Sequence, residues 1–189
     1  MTKNNIIVAV VGLCGAGKTE ATQIFLENNF ERVYFGDITF DEMKRQNIEI
    51  TPENERKIRE KIRRDSNNDM AIYAKMSEPK IRAFFDAGKN VIVESMYSWS
   101  EYKFLKEIYK DNFKLLAIVT DRDLRATRLK TRPIRPFTDE QVTARDYTEI
   151  ENIEKAGPIA IADHFIVNNT DFEHLRKEVQ QYIDDLLKK

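Results

Sequence analysis

At 189 residues the chain is long enough for one domain with a full hydrophobic core. Charged residues make up 33%, but the formal net charge is only -1, which excludes a global basic field for nucleic acid. One cysteine suits a reducing compartment, and no apolar run fits a signal peptide or the roughly 20 residues of a membrane span, so a soluble cytoplasmic protein is expected.

In chain order, IIVAVVG (6–12) reads as the first strand, and its consecutive apolar residues suit a parallel strand buried on both faces. The loop GLCGAGKT follows, and KTEATQIFLENN then places Ala21, Ile24, Phe25 and Asn28 on one helical face. RVYFG (32–36) is the second strand, and TPEN (51–54) starts a helix with Thr51 as N-cap and proline at the first position. NVIVE (90–94) is the third strand, and SWSE (98–101) reads as a capping box. KLLAIVT (114–120) is the fourth strand, with a further capping box at TDEQ (138–141). DHFIVN (163–168) is the fifth, and TDFE (170–173) caps the last helix. Alternating strands and helices imply a three-layer α/β/α domain over residues 1–189, with insertions at 37–89 and 121–160 above one sheet edge.

GLCGAGKT matches G-x-x-x-x-G-K-[ST] in the required strand–loop–helix context. Gly12, Cys14, Gly15, Ala16, Gly17, Lys18, Thr19 and Glu20 are the expected ATP-phosphate site. Lys18 bridges the outer phosphates and the Thr19 hydroxyl ligates Mg²⁺. Cys14 is a small filler with no redox role. Glu94 closes the third strand at the carboxyl edge of the sheet, where a carboxylate can hold water around Mg²⁺. Asp37, just past the second strand, is the candidate to orient or deprotonate an acceptor hydroxyl.

Arginines crowd the region 121–160. Arg125, Arg128 and Arg132 recur at helical spacing, and RPIRP ends that helix. The expected result is a mobile, positive lid that closes on phosphates, with Arg132, Arg135 and Arg145 stabilising the transferring group. In TPENERKIREKIRRD, Arg56, Arg59 and Arg63 form either a functional basic stripe or a solvated charge lattice with Glu53, Glu55 and Glu60. Tyr97, Trp99 and Tyr102 offer aromatic surface for a ring, although Trp99 serves equally as packing. His164 and His174 read as structural.

With these motifs placed, the chain resembles the nucleoside-monophosphate-kinase-like P-loop kinases, most of all dephospho-CoA kinases and adenylate-kinase-related archaeal proteins. The resemblance rests on GLCGAGKT, FGD (35–37), Glu94, RLKTR (128–132), ARDYTEIE (144–151) and IADHFIVNNTDFEHL (161–175). It implies a five-stranded parallel sheet of order 2-3-1-4-5. It also implies an adenine pocket lined by Asn168, Asn169 and Thr170, with Arg128 stacked on the base and Arg132 on the phosphates. Arg63 matches an arginine of the archaeal relatives' acceptor helix. Two departures concern the acceptor. Phe40 and Tyr97 stand where the resembled kinases carry arginines that grip its phosphate, and each such contact is worth roughly 1.5–3 kcal/mol.

The leading expectation is an ATP- and Mg²⁺-dependent kinase of a small nucleotide or nucleotide-like acceptor, held by Asp37, Phe40, Arg59, Arg63, Tyr97, Arg135 and Arg145. The rivals are a kinase of dephospho-CoA or another hydroxyl compound, and an ATP-binding switch with slow turnover. No nucleic-acid or membrane partner is expected, and the protein is a monomer or a homodimer.

Overall fold

The computed structural model describes residues 5–188. Five strands, β1 (Ile7–Val11), β2 (Glu31–Tyr34), β3 (Val91–Glu94), β4 (Phe113–Val119) and β5 (His164–Val167), form one sheet of order β2-β3-β1-β4-β5. Every pairing is parallel, with Ile7 opposite both Val91 and Phe113 in register. The strand order and the five strand locations match those expected from the sequence.

Consecutive apolar residues work because successive side chains leave opposite faces of the sheet. Ile7, Ala9 and Val11 pack with Val93 and Leu115 under helices α4 (Ile72–Asp86) and α5 (Trp99–Tyr109). Val8 and Val10 pack with Ile92 and Ile118 under α1 (Lys18–Glu27) and α9 (Phe172–Leu187). Ala21, Ile24 and Phe25 are buried in that second layer, and Asn28 Nδ2 donates to Gln180 Oε1 on α9 at 2.9 Å.

Two excursions leave the carboxyl ends of strands. After β2 come α2 (Asp37–Arg45) and α3 (Pro52–Asp65), and after β4 come α6 (Arg122–Thr131), α7 (Asp139–Tyr147), a π-turn (Thr148–Asn152) and α8 (Ala156–Ala160). Thr51, Ser98 and Thr138 cap their helices as expected, the last two in reciprocal boxes with Glu101 and Gln141. The final cap shifts by one residue. Asp171, not Thr170, accepts from the His174 N–H, since a carboxylate suits the positive helix end better than a hydroxyl. His164 is exposed and stacks on Tyr182 with ring centroids 4.8 Å apart. Trp99 takes the packing role: it stacks on Tyr102 at 5.1 Å and lies against Gly157.

Candidate active site

The phosphate loop turns on glycines that no other residue replaces. Gly12 has φ 148°, and a Cβ there would lie 2.3 Å from the Ile118 carbonyl oxygen. Gly17 has φ 100°, and its Cβ would meet Asn168 Nδ2 at 2.4 Å. Asn168 is buried and donates to Ala16 O at 2.9 Å, so the strand-five end braces the loop. Lys18 bonds Leu13 O at 3.0 Å, curling back over its own loop. Burial lowers the Lys18 pKa, and Glu149 acts against that shift.

A cavity of about 580 Å³ opens beside the loop, lined by Cys14, Gly15, Gly17, Lys18, Thr19, Glu20, Arg128, Arg132, Asn168 and Thr170 among others. These are most of the residues expected to hold ATP. Arg128 Nη2 donates to Thr170 O at 3.1 Å, which fixes the guanidinium against the strand-five loop. Gly12 and Ala16 instead line a separate apolar pocket of about 220 Å³ behind the loop. Asn169 does not reach the large cavity; its Oδ1 accepts from the Asp121 N–H at 2.9 Å.

A second cavity, about 460 Å³, lies between the two excursions. Its wall includes Phe40, Arg59, Arg63, Tyr97, Arg135 and Arg145, which is every expected acceptor residue except Asp37. Cys14 and Arg132 belong to both cavities, so the two meet there. Arg132 follows the end of α6 in extended conformation, and its guanidinium sits 4.3 Å from the Phe137 ring centroid. Glu55 ties the lid to α3, with Arg135 at 3.8 Å and Arg59 at 3.5 Å. Among the described residues Arg63 has no acid within ion-pair distance, and it lies over the Tyr73 ring at 5.8 Å. On α3, Arg59 and Arg63 reach the cavity, while Arg56 is exposed and Glu53 pairs with Lys57 at 2.7 Å.

At the floor of this cavity Glu101 caps α5, its Oε2 accepting the N–H groups of Tyr97 (2.6 Å) and Ser98 (2.8 Å). Burial pushes its pKa up to about 7 and that of the neighbouring Tyr97 phenol up to about 12. Between the cavities lies a buried charge cluster. Glu149 accepts from Lys155 Nζ at 2.7 Å, Arg145 Nε at 2.9 Å and the Cys14 N–H at 3.0 Å. Burial alone would raise the Glu149 pKa, but Lys155, Arg145 and Lys18 hold it below the usual range. Burial and the charge of Lys18 bring Lys155 down to about 8.

Three expected residues are turned elsewhere. Asp37 points to Lys80 on α4 at 3.3 Å, off the cavity wall. Glu94 is held by Arg32, Nη2 at 2.6 Å and Nε at 2.7 Å, and lines neither cavity. Arg125 does not join Arg128 and Arg132. It is buried and bidentate to Asp146 at 2.8 and 2.9 Å, and donates to Cys14 O at 3.1 Å, so it braces the lid against the loop. Helical spacing put the three together; the facing Asp146 on α7 draws one inward.

No protein-family model matches the sequence. The chain is 29% identical over 187 residues to a UPF0200 protein of Thermococcus kodakarensis, covering 97% of this chain and 100% of that one. A UPF0200 protein of Pyrococcus furiosus is 29% identical over 181 residues, covering 94% and 96%. Among solved structures, shikimate kinase from Bacteroides thetaiotaomicron superposes with TM-score 0.61 at 14% identity, covering 97% and 99%. Shikimate kinase from Acinetobacter baumannii, in complex with shikimate, gives 0.59 at 15% identity over 98% and 95%. A gluconokinase from Sinorhizobium meliloti gives 0.58 at 13% identity over 100% and 96%. The fold is that of the P-loop kinases.

Within this fold the sequence reading missed Glu101 as a cavity residue and Glu149 and Lys155 altogether. Glu101 was visible only as a cap. Glu149 lies inside ARDYTEIE, but nothing in that motif says its acid is buried. Lys155 reaches it through a backbone reversal that no periodicity signals.

Proposed function

We propose that this protein is an ATP- and Mg²⁺-dependent phosphotransferase whose acceptor is a small, anionic, nucleotide-like molecule. The observation that carries this reading is the pair of cavities meeting at Cys14 and Arg132 beside the phosphate loop. ATP occupies the larger, with its base at Arg128 and the Asn168–Thr170 segment and its phosphates at Gly15–Thr19. The acceptor occupies the smaller. Lys18, Arg132 and Arg145 stabilise the charge that spreads over the transferring phosphoryl oxygens. Enclosure by the lid keeps water from the reaction.

Thr19 and Glu20 on the donor wall fit a Mg²⁺ carried in by the phosphates, since Mg²⁺ keeps most of its waters and needs few protein ligands. When bound, it neutralises phosphate charge. The Thr19 hydroxyl, next to Lys18 on that wall, would be its protein ligand.

The wall supports an anionic acceptor, since it carries five arginines, at 59, 63, 132, 135 and 145, against the acids Glu55 and Glu101. An acceptor that brings its own anionic oxygen needs no base for transfer. An alcohol needs one, and Asp37, the expected base, faces Lys80 instead. The arginines thus favour an acceptor phosphate held from α3 and the lid rather than from positions 40 and 97. In this reading the chain works as a single unit in the cytoplasm, as a monomer or homodimer, without nucleic acid or membrane.

The test is ADP formation from ATP·Mg²⁺ over a panel of nucleoside monophosphates, dephospho-CoA, shikimate and sugars. Stimulation by a phosphate-bearing acceptor that phosphorylates at that phosphate supports the proposal. Stimulation by dephospho-CoA or sugars alone, with a hydroxyl phosphorylated, replaces the acceptor reading by the alcohol one. No stimulation, with slow ATP turnover abolished by Lys18→Ala, points to a nucleotide-binding switch instead.

A further inference from the structure

Glu149 has no exposed surface, and a carboxylate is costly to bury unless cations meet it. Its Oε1 accepts from both Lys155 and Arg145, and its Oε2 accepts the Cys14 N–H, so one side chain joins the lid to the phosphate loop. The backbone is bent to allow this. The π-turn Thr148–Asn152 is followed by Glu154 at φ 58°, and the Lys155 N–H returns to Glu149 O at 3.0 Å. π-turns and left-handed non-glycine residues cost energy and concentrate where a functional geometry requires them.

Arg145 is the side chain that this arrangement presents. Glu149 takes its Nε edge, while its Nη1 and Nη2 have no protein partner among the described residues. The guanidinium lies on the acceptor wall, in electrostatic reach of Cys14. A guanidinium anchored by one edge can offer its remaining donors to a phosphate in bidentate geometry. Lys155 completes the compensation: its Nζ lies 4.2 Å from the centroid of the Tyr97 ring. An ammonium thus fills the space over a position where the resembled kinases carry an arginine.

We propose that Glu149 is a positioning residue for phosphoryl transfer: it aims Arg145 at the outermost phosphate on the loop, with Lys155 balancing its charge. The inference rests on the kinase reading above.

A double-mutant cycle on the whole chain tests it, using Arg145→Ala, Glu149→Gln and the two combined. The first readout is calorimetric titration of the nucleotide-free protein with inorganic tripolyphosphate, which requires no turnover. Each single variant should weaken binding about tenfold, and the double no further than Arg145→Ala alone, because Glu149 acts only through Arg145. The second readout is acceptor-stimulated ADP formation, where both singles should lower kcat by about ten- to a hundredfold and move the acceptor KM less than threefold.

Fold-changes that multiply in the double variant overturn the proposal, as does wild-type affinity in Glu149→Gln. Should Glu149→Gln not fold, Arg145→Lys decides. It keeps the charge but lacks the Nε edge, so it should bind as weakly as Arg145→Ala; wild-type affinity would show that anchoring is unnecessary. A wild type that binds tripolyphosphate through the non-additive cycle but shows no acceptor-stimulated ADP formation sinks the kinase reading and leaves Glu149's role intact.

Discussion

The two cavities that meet at Cys14 and Arg132 are built in different ways. The donor side is mostly two short continuous segments, 14–20 and 168–172, whose backbone and adjacent side chains form the wall. The acceptor side gathers single side chains from α2, α3, the turn after β3 and the lid, up to about a hundred residues apart in sequence. A loop that folds on itself leaves its chemistry in spacing. A wall assembled from many separate segments leaves it only in tertiary packing. For that reason the donor side should fail sharply on single changes, and the acceptor side by degrees.

The largest effect tests the donor side. Lys18→Ala should lower kcat by about 10²–10³-fold, as loss of a donor aimed at developing phosphoryl charge does. Acceptor binding, measured by calorimetry without nucleotide, should be unchanged. If it collapses too, the two cavities are not independent and the contrast between them fails.

Next comes the acceptor floor. Glu101 holds a proton more tightly in the folded chain than in the unfolded one, because burial raises its pKa from 4.5 to about 7. Between those values the folded state carries more protons, so stability should fall as pH rises through that window, by about 3 kcal/mol in all. Below 4.5 both states are protonated and above about 7 both are ionised, so this contribution is flat outside it. Glu101→Gln keeps an acceptor for the Tyr97 and Ser98 N–H groups but cannot titrate. Its thermal midpoint should lose that slope, and a slope that persists would assign the pH dependence to another group.

Smaller still is Arg63→Ala. Its guanidinium lines the cavity with no ion-pair partner among the described residues, so removal should cost little stability. It should raise the acceptor KM by about ten- to a hundredfold, the worth of one charge-assisted contact, with the ATP KM unmoved. A change confined to the ATP KM would move Arg63 to the wrong cavity.

Legibility follows the same division. The strands, the loop and three caps could be read because apolar runs, glycines and cap spacings are local signals, whereas the strand order came from the resemblance alone. Arg59, Arg63, Tyr97, Arg135 and Arg145 line one cavity, but resemblance and helical spacing gave no sign of how they meet. What failed was partner choice. Asp37, Glu94 and Arg125 are all ionic, and each turned to a residue distant in sequence: Lys80, Arg32 and Asp146. A charged side chain settles where the nearest opposite charge is, and one sequence does not say which that will be. Glu149 and Lys155 were missed for the converse reason, since burial of a charge is decided by neighbours.

The smallest predicted effect returns to one of those pairs. Glu94 and Arg32 pair across β3 and β2 with the arginine 45% and the acid 13% exposed, so breaking the pair should cost about 1 kcal/mol. Arg32→Ala nevertheless frees an acid at the carboxyl end of β3, the edge where ligands bind in open α/β sheets. Two outcomes separate two roles for it. If Arg32 merely occupies a carboxylate that would otherwise serve the metal, the variant's turnover should reach half-maximum at lower Mg²⁺ than the wild type. If Glu94 serves only to hold β2 against β3, Mg²⁺ dependence stays put and the thermal midpoint alone moves. Titrating Mg²⁺ against turnover in Arg32→Ala and Glu94→Gln therefore decides whether the donor side owes anything to a residue beyond its two continuous segments.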